Sequence, residues 1–116
     1  MIRILAVFAL VTAPIPAFAQ EAPRLSLEQR MLLRCSAAFA LVARGQADGD
    51  ESAGVYPAMA ERGREFFVRA SAQVMEQAAL DRAQISAALT AEAQDISDND
   101  TLDEVMSVCL PMLPLE

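Results

Sequence analysis

Two cysteines, Cys35 and Cys109, place the strongest constraint on how this chain can fold. They are the only cysteines in 116 residues. In an oxidising compartment such a pair forms one disulfide, which here would join the two ends of a small domain. Closing a loop of about 75 residues removes roughly 4.5 kcal/mol of conformational freedom from the unfolded chain in the entropic model. We predict a structural Cys35–Cys109 disulfide, because the alternative of a redox-active pair lacks CxxC spacing.

The N-terminal segment predicts that the chain is exported. A basic residue, Arg3, precedes the apolar run 4–11, and two prolines lead to an Ala-Phe-Ala sequence that ends at Ala19. This order is typical of a secretory signal peptide. We expect residues 1–19 to be cut from Gln20 and the mature chain to be periplasmic. A membrane anchor is the alternative, but the apolar run is much shorter than the roughly 20 residues of a spanning helix.

Composition excludes several function classes for the mature chain. Removing 19 of 116 residues leaves 97, and loss of Arg3 takes the formal net charge from −7 to −8. That length suits one domain with a modest core. An acidic domain is poorly suited to nucleic acid or to an anionic membrane surface. The chain also has no histidine, so it lacks Ser-His-Asp and Cys-His catalytic systems and histidine metal ligands. We therefore expect no cofactor.

Apolar residues at helical spacing predict an all-α fold. After a short polar arm at residues 20–25, Ser26 and Gln29 form a capping box that begins helix one. Gly45 is suited to a left-handed C-cap, so this helix should end near Arg44.

Helix two should begin at Pro57, which is favourable at the first helical position, and run to about Ala78. Gly63 lies in its apolar face, where glycine is about 1 kcal/mol worse than alanine, so another helix should approach closely there. Glu65 and Arg69 are spaced for an i,i+4 ion pair. We expect helix two to be the central helix of the core.

Two further helices complete the predicted fold. Helix three follows a capping box of Asp81 and Gln84 and ends near Gln94, while helix four, at 102–109, follows a capping box of Thr101 and Glu104. Pro111 and Pro114 should stop the chain from continuing as helix. We predict a four-helix antiparallel bundle over residues 26–113, stapled by the disulfide, with the end of helix four against the middle of helix one.

Neither of two acidic stretches has the spacing of a calcium loop. We expect residues 45–54 to be a solvated loop, because a twelve-residue loop starting at Asp48 would place Met59 where the bidentate glutamate belongs. Loops starting at Asp95 or Asp98 fail in the same way. These aspartates are well suited to be turn and cap residues, and we predict no metal site.

The adjacent aromatic residues Phe66 and Phe67 are the candidate partner surface. Successive side chains diverge by about 100° around a helix, so both rings can be in the core only if helix two is buried on two sides. If one ring is exposed, it marks a surface for a partner, either a protein or a small molecule.

Several segments resemble a group of small exported helical proteins of alphaproteobacteria that have no established activity. They are the signal peptide, LRCSAAF at 33–39, Tyr56-Pro57, RGREFFVR at 62–69 and the late CLP at 109–111. The resemblance covers most of residues 27–113. It implies a periplasmic, disulfide-linked helical domain and no particular activity.

Three function classes fit these observations, and the first is a non-enzymatic periplasmic binding protein. The second is an envelope or acid-stress holdase, because protonation of sixteen carboxylates would reverse the net charge and could loosen the bundle. The third is an inhibitor or immunity protein for an envelope hydrolase, which rests on fold alone. Catalysis by Glu61 and Glu65 is disfavoured, because arginines flank both carboxylates and no pocket-forming motif accompanies them.

Overall fold

The computed structural model describes residues 24–114 and shows an all-α fold that contains no strand within that range. The helices are α1 (Leu27–Ala47), α2 (Glu51–Gly54), α3 (Arg62–Ala78), α4 (Arg82–Asp98) and α5 (Leu102–Cys109), followed by a 3-10 turn (Leu110–Met112). The four longer helices are the predicted bundle. The predicted signal peptide and residues 20–23 of the polar arm lie outside the described residues. Within the described part, no helix is long and apolar enough to cross a membrane.

Helix α1, and not the helix with the paired phenylalanines, is the centre of the bundle. It packs against each of the other four helices, whereas α3 and α4 share only a short contact. The prediction that helix two forms the centre is therefore wrong. The buried residues of α1 cover a broad face, which lets it meet neighbours on several sides; they are Leu33, Cys35, Ser36, Ala37, Ala38, Phe39 and Val42.

The predicted disulfide is present and organises the larger part of the core. Cys35 and Cys109 are bonded, with their Cα atoms 5.3 Å apart, and both are fully buried. The bond holds the end of α5 against the middle of α1, as predicted. Met112 Sδ lies 3.5 Å from Cys35 Sγ, so the 3-10 turn packs over the bond. We call the surrounding side chains the disulfide cluster; they include Phe39, Val42, Met59, Ile96, Val105 and Met106.

A smaller cluster closes the other end of the bundle, where α1, α3 and the start of α4 meet. It contains Leu33, Val74, Leu80 and Ile85. The predicted capping box beside it is confirmed, because Gln84 N–H donates to Asp81 Oδ1 at 2.8 Å and the Asp81 N–H donates to Gln84 Oε1 at 2.9 Å. This cap, together with the buried side chains of Leu80 and Ile85 on either side of it, fixes the turn between α3 and α4.

The other two predicted capping boxes differ in outcome. The box of Ser26 and Gln29 is confirmed, with both reciprocal hydrogen bonds formed. The box of Thr101 and Glu104 is wrong, because Thr101 makes no side-chain cap hydrogen bond and its Oγ1 is buried without a partner. The Thr101 backbone, at φ −108° and ψ 14°, is not in the extended conformation of a capping residue, which accounts for the missing cap.

Gly45 lies inside a helix, so its predicted role as a C-cap is wrong. Helix α1 continues to Ala47, and the predicted loop 45–54 contains both this last turn and α2. A Cβ atom at Gly45 would lie 2.8 Å from Ala53 Cβ, which is too close for a side chain. Glycine is therefore needed at this position for the approach of α2.

Helix α3 begins at Arg62, five residues later than the start predicted at Pro57, because Gln46 holds the preceding backbone. Gln46 Nε2 donates to the carbonyls of Ala53, Tyr56 and Pro57 at 2.9–3.2 Å. Its Oε1 accepts from the Met59 N–H at 2.9 Å. One side chain thus replaces the hydrogen bonds that an earlier helical turn would provide.

Helix α4 extends to Asp98, past the end predicted near Gln94. The added turn contains Ile96, which is fully buried in the disulfide cluster. The end of α4 is also held by Arg34 on α1. Arg34 Nη1 donates to Glu92 Oε2 at 2.9 Å and to Asp95 Oδ2 at 2.8 Å. Packing and this paired hydrogen bond therefore extend the helix through a sequence that is otherwise typical of a turn.

Candidate functional site

An apolar groove lies over α1, between α3 and α4. It consists of two adjoining depressions of about 300 and 220 Å³. The first is lined by Phe39, Ala40, Ala43, Met59, Ala60, Gly63, Arg64 and Phe67. The second is lined by Ala37, Ala40, Leu41, Arg44, Phe67, Leu89, Thr90 and Ala93. Because Ala40 and Phe67 line both depressions, they form one continuous surface, which we call the Phe67 groove.

Short side chains on α1 keep the groove open. Ala37, Ala40 and Ala43 recur every three residues along one side of the helix and all line the groove. Side chains this short do not fill the space between two flanking helices. Because α3 and α4 share only a short contact, they leave this side of α1 uncovered.

The first depression forms where α3 comes closest to α1. A Cβ atom at Gly63 would lie 3.2 Å from Phe39 Cβ and 3.4 Å from Met59 Cβ, which confirms the predicted close approach at this glycine. Phe39 and Met59 are fully buried. They therefore provide an apolar base for the depression that is already fixed by the core.

The two adjacent phenylalanines have different surroundings. The ring of Phe66 meets that of Phe39 edge to face, with centroids 5.0 Å apart and an interplanar angle of 84°, and packs against the disulfide cluster. Phe67 is also half-buried, but it packs against neither hydrophobic cluster and lies between the two depressions. Of the two candidate residues, only Phe67 lines the groove.

Each depression has one arginine at its edge. Arg64 lines the first and Arg44 lines the second, and both are exposed. Neither forms an ion pair with any of the residues 24–114, whereas Arg34 and Arg69 are both paired. The groove therefore offers two available guanidinium groups beside apolar surface, on a chain whose net charge is −7.

Two groups of polar contacts outside the groove connect α1 to α4 and Tyr56 to α5. The hydrogen bond to Asp95, together with that to Glu92, raises the pKa of Arg34 against the opposing effect of burial. The Tyr56 hydroxyl donates to Asp103 on α5, and this hydrogen bond raises the pKa of Tyr56 to about 12. Each of these contacts joins two segments that are distant in sequence, which is a structural role.

The two candidate catalytic carboxylates lie at the start of α3, Glu61 as its N-cap residue and Glu65 in its first turn. Glu61 and Glu65 are both exposed, and Glu65 forms the predicted i,i+4 ion pair with Arg69 at 2.8 Å. Across residues 24–114, no three Asp, Glu, Cys or His side chains are grouped so that they could hold a metal ion. Neither glutamate lines the Phe67 groove.

Of the groove's residues, the sequence predicts a site role only for Phe67, because it is adjacent to Phe66. It predicts no site role for Ala40, Arg44 or Arg64. The sequence signal that could have indicated the groove is the alanine at every third position of α1, because side chains that short cannot fill a space between two neighbouring helices. Comparison of the chain with protein-family models, curated proteins and solved structures finds no match in any of the three.

Proposed function

We propose that the protein is an exported, non-enzymatic binding protein and that the Phe67 groove is its binding surface. The observation that supports this proposal most directly is the coincidence of an apolar groove with two available arginines. The larger depression, of about 300 Å³, reaches the lower end of the range of ligand sites in proteins, which are mostly apolar with a few polar groups that fix orientation.

The chemistry of the groove favours binding over catalysis. Its lining is apolar except for Arg44, Arg64 and Thr90. Two guanidinium groups and a hydroxyl can attract and orient a carboxylate or another anion. They do not provide a general base, because an arginine stays protonated at physiological pH. The groove is therefore suited to holding a partner.

Two observations support placement of this binding protein in the periplasm. The first is the signal-peptide pattern that ends at Ala19. The second is the fully buried Cys35–Cys109 bond, which is typical of oxidising compartments. If the chain is expressed in full, N-terminal sequencing of the periplasmic fraction should begin at Gln20; a cytoplasmic product that retains Met1 would contradict export.

The binding role is tested by affinity capture from periplasmic extract with matched surface variants. Ala40 is exposed and lines both depressions, so Ala40→Glu places a charge and extra volume in the groove. Ala72→Glu is the control, because Ala72 is exposed on α3 and lines neither depression. We expect the wild-type chain and Ala72→Glu to retain the same molecule, and Ala40→Glu to lose it.

The captured molecule is then titrated as a purified component against the same three proteins. A dissociation constant raised at least tenfold by Ala40→Glu alone would support the groove as the binding surface. Capture of nothing above background, or equal retention by Ala40→Glu, would contradict the proposal.

A further inference from the structure

We infer that the partner of the Phe67 groove is an acidic amphipathic helix, which inserts two apolar side chains on either side of Phe67. This inference rests on the proposed binding function and specifies the class of partner. It follows from three properties of the groove: its length, its division into two depressions, and the position of its two arginines.

The length of the groove matches about two turns of helix. Its lining on α1 extends from Ala37 to Arg44, and its lining on α3 from Gly63 to Phe67, preceded by Ala60 in the turn before that helix. At 1.5 Å per residue, the seven-residue separation on α1 is roughly 10 Å long and the four-residue separation on α3 is roughly 6 Å long. Two side chains one turn apart on an incoming helix are separated by about 5–6 Å. The groove can therefore accommodate one such pair.

Phe67 divides the groove and so sets the pattern that it recognises. Depressions of 300 and 220 Å³ lie on its two sides, and each can receive one leucine-sized or methionine-sized side chain. The alanines of α1 let the backbone of an incoming helix come close, as small residues do where helices cross. A helix with apolar residues at i and i+4 would place one in each depression and pack its backbone over Ala40.

The arginines indicate that the partner is acidic at this face. Arg64 lies at one depression and Arg44 at the other, and neither is neutralised by a carboxylate among the described residues. A glutamate or aspartate beside each apolar anchor could pair with them. Because the chain as a whole is acidic, repulsion at long range opposes such a partner, but salt screens it beyond about 8 Å at physiological ionic strength. The local pairs then determine the preference.

A free anionic amphiphile shares part of this chemistry, since it also combines a negative head with an apolar tail. One fixed anionic head would engage one arginine, whereas the groove has one arginine at each depression. The groove also lies open along the surface of three helices, which suits an extended partner. The observations therefore favour a helix, and the amphiphile becomes an alternative outcome of the test.

The test uses the mature chain and three synthetic helical peptides of about 16 residues, a length at which an alanine-rich helix is populated in water. The first peptide has two leucines at i and i+4 flanked by glutamates. The second replaces the flanking glutamates by lysines, and the third replaces the leucines by serines. Fluorescence anisotropy measures binding, and sodium decanoate is titrated separately by NMR.

We expect the acidic leucine peptide to bind at least tenfold more tightly than either of the others. Ala40→Glu should abolish this binding, while Ala72→Glu should leave it unchanged. The double variant Arg44→Glu/Arg64→Glu should reverse the preference in favour of the lysine peptide. Arg24→Glu/Arg82→Glu, which makes the same charge change at exposed positions outside the groove, should preserve the preference for the glutamate peptide.

Two results would overturn the inference and leave the binding function standing. One is decanoate binding in the groove, lost in Ala40→Glu, with no peptide bound. The other is equal binding of the glutamate and lysine peptides. If neither peptides nor decanoate bind and periplasmic capture also fails, the inference and the proposed function fall together.

Discussion

Phe66 and Phe67 are neighbours on α3, but the space between α3 and α1 is filled on the side of Phe66 and open on the side of Phe67. On one side, Phe66 packs edge to face against the buried Phe39 and belongs to the surroundings of the disulfide. On the other side, Phe67 and Ala40 line two open depressions of about 300 and 220 Å³. One residue along the chain therefore separates a closed core from an open groove.

The closed side mainly stabilises the fold, whereas the open side is the proposed binding surface. The closed side contains the disulfide and the fully buried Ile96 and Met106, which belong to the larger of the two hydrophobic clusters that stabilise this small domain. The open side contains short side chains and available arginines, whose loss would change little of the core. We expect substitutions on the two sides to affect different measurements.

The largest expected effect concerns the disulfide on the closed side. Cys35→Ala/Cys109→Ala should lower the free energy of unfolding by about 4 kcal/mol, because the bond spans 74 residues of sequence and removing it restores the freedom of the unfolded chain. Urea denaturation of the mature chain measures the change. Reduction of the wild-type chain under the same conditions is the control. A loss below about 1 kcal/mol would show that the closed side is held mainly by packing.

The next effect compares the adjacent phenylalanines directly. Phe66→Ala should destabilise the fold by about 3 kcal/mol, because it removes the partner of the Phe39 ring and leaves a cavity. Phe67→Ala should have an effect below about 1 kcal/mol, since Phe67 packs against neither cluster. Urea denaturation of both variants measures the difference. Equal losses would mean that the groove side is as much part of the core as the closed side.

The sequence predicted those parts of the fold that depend on local signals. The caps at Ser26 and Asp81 each require two residues three positions apart, and both formed as predicted. Gly63 was correctly predicted as a point of close approach, because glycine within an apolar helical face lowers stability unless a neighbouring helix needs the space. The disulfide followed from the two cysteines together with the predicted export of the chain.

Predictions failed where a residue distant in sequence decided the local structure. Gln46 binds backbone groups up to thirteen residues away and so delays the start of α3. Gly45 serves the approach of Ala53 from another helix and not the end of its own. The groove was missed for the same reason: alanines on one helix become a binding surface only when the flanking helices leave them uncovered, and that depends on tertiary packing.

The smallest expected effect sharpens the comparison at the edge of the closed side, where Tyr56 packs against the disulfide cluster and donates to Asp103. Tyr56 is the only tyrosine of a chain without tryptophan, so tyrosinate absorbance reports this residue alone. In the folded chain we expect its midpoint at about 12, because the hydrogen bond to Asp103 raises the pKa from its ordinary value of 10.0.

The sign of the linked change in stability follows from that pKa. A raised folded-state pKa means that the bond stabilises the fold fully below pH about 10, where the tyrosine is protonated in both states. The contribution is lost as the pH rises from about 10 through 12.

Asp103→Asn should return the titration midpoint of Tyr56 towards 10. Asp98→Asn, which replaces an exposed carboxylate on α4, should leave the midpoint near 12. Peptide binding at neutral pH should be the same in both variants, because neither aspartate lines the groove. A wild-type midpoint at 10 would instead show that the contact between Tyr56 and α5 does not persist in solution. The edge of the closed side at Tyr56 would then be open, like the groove side.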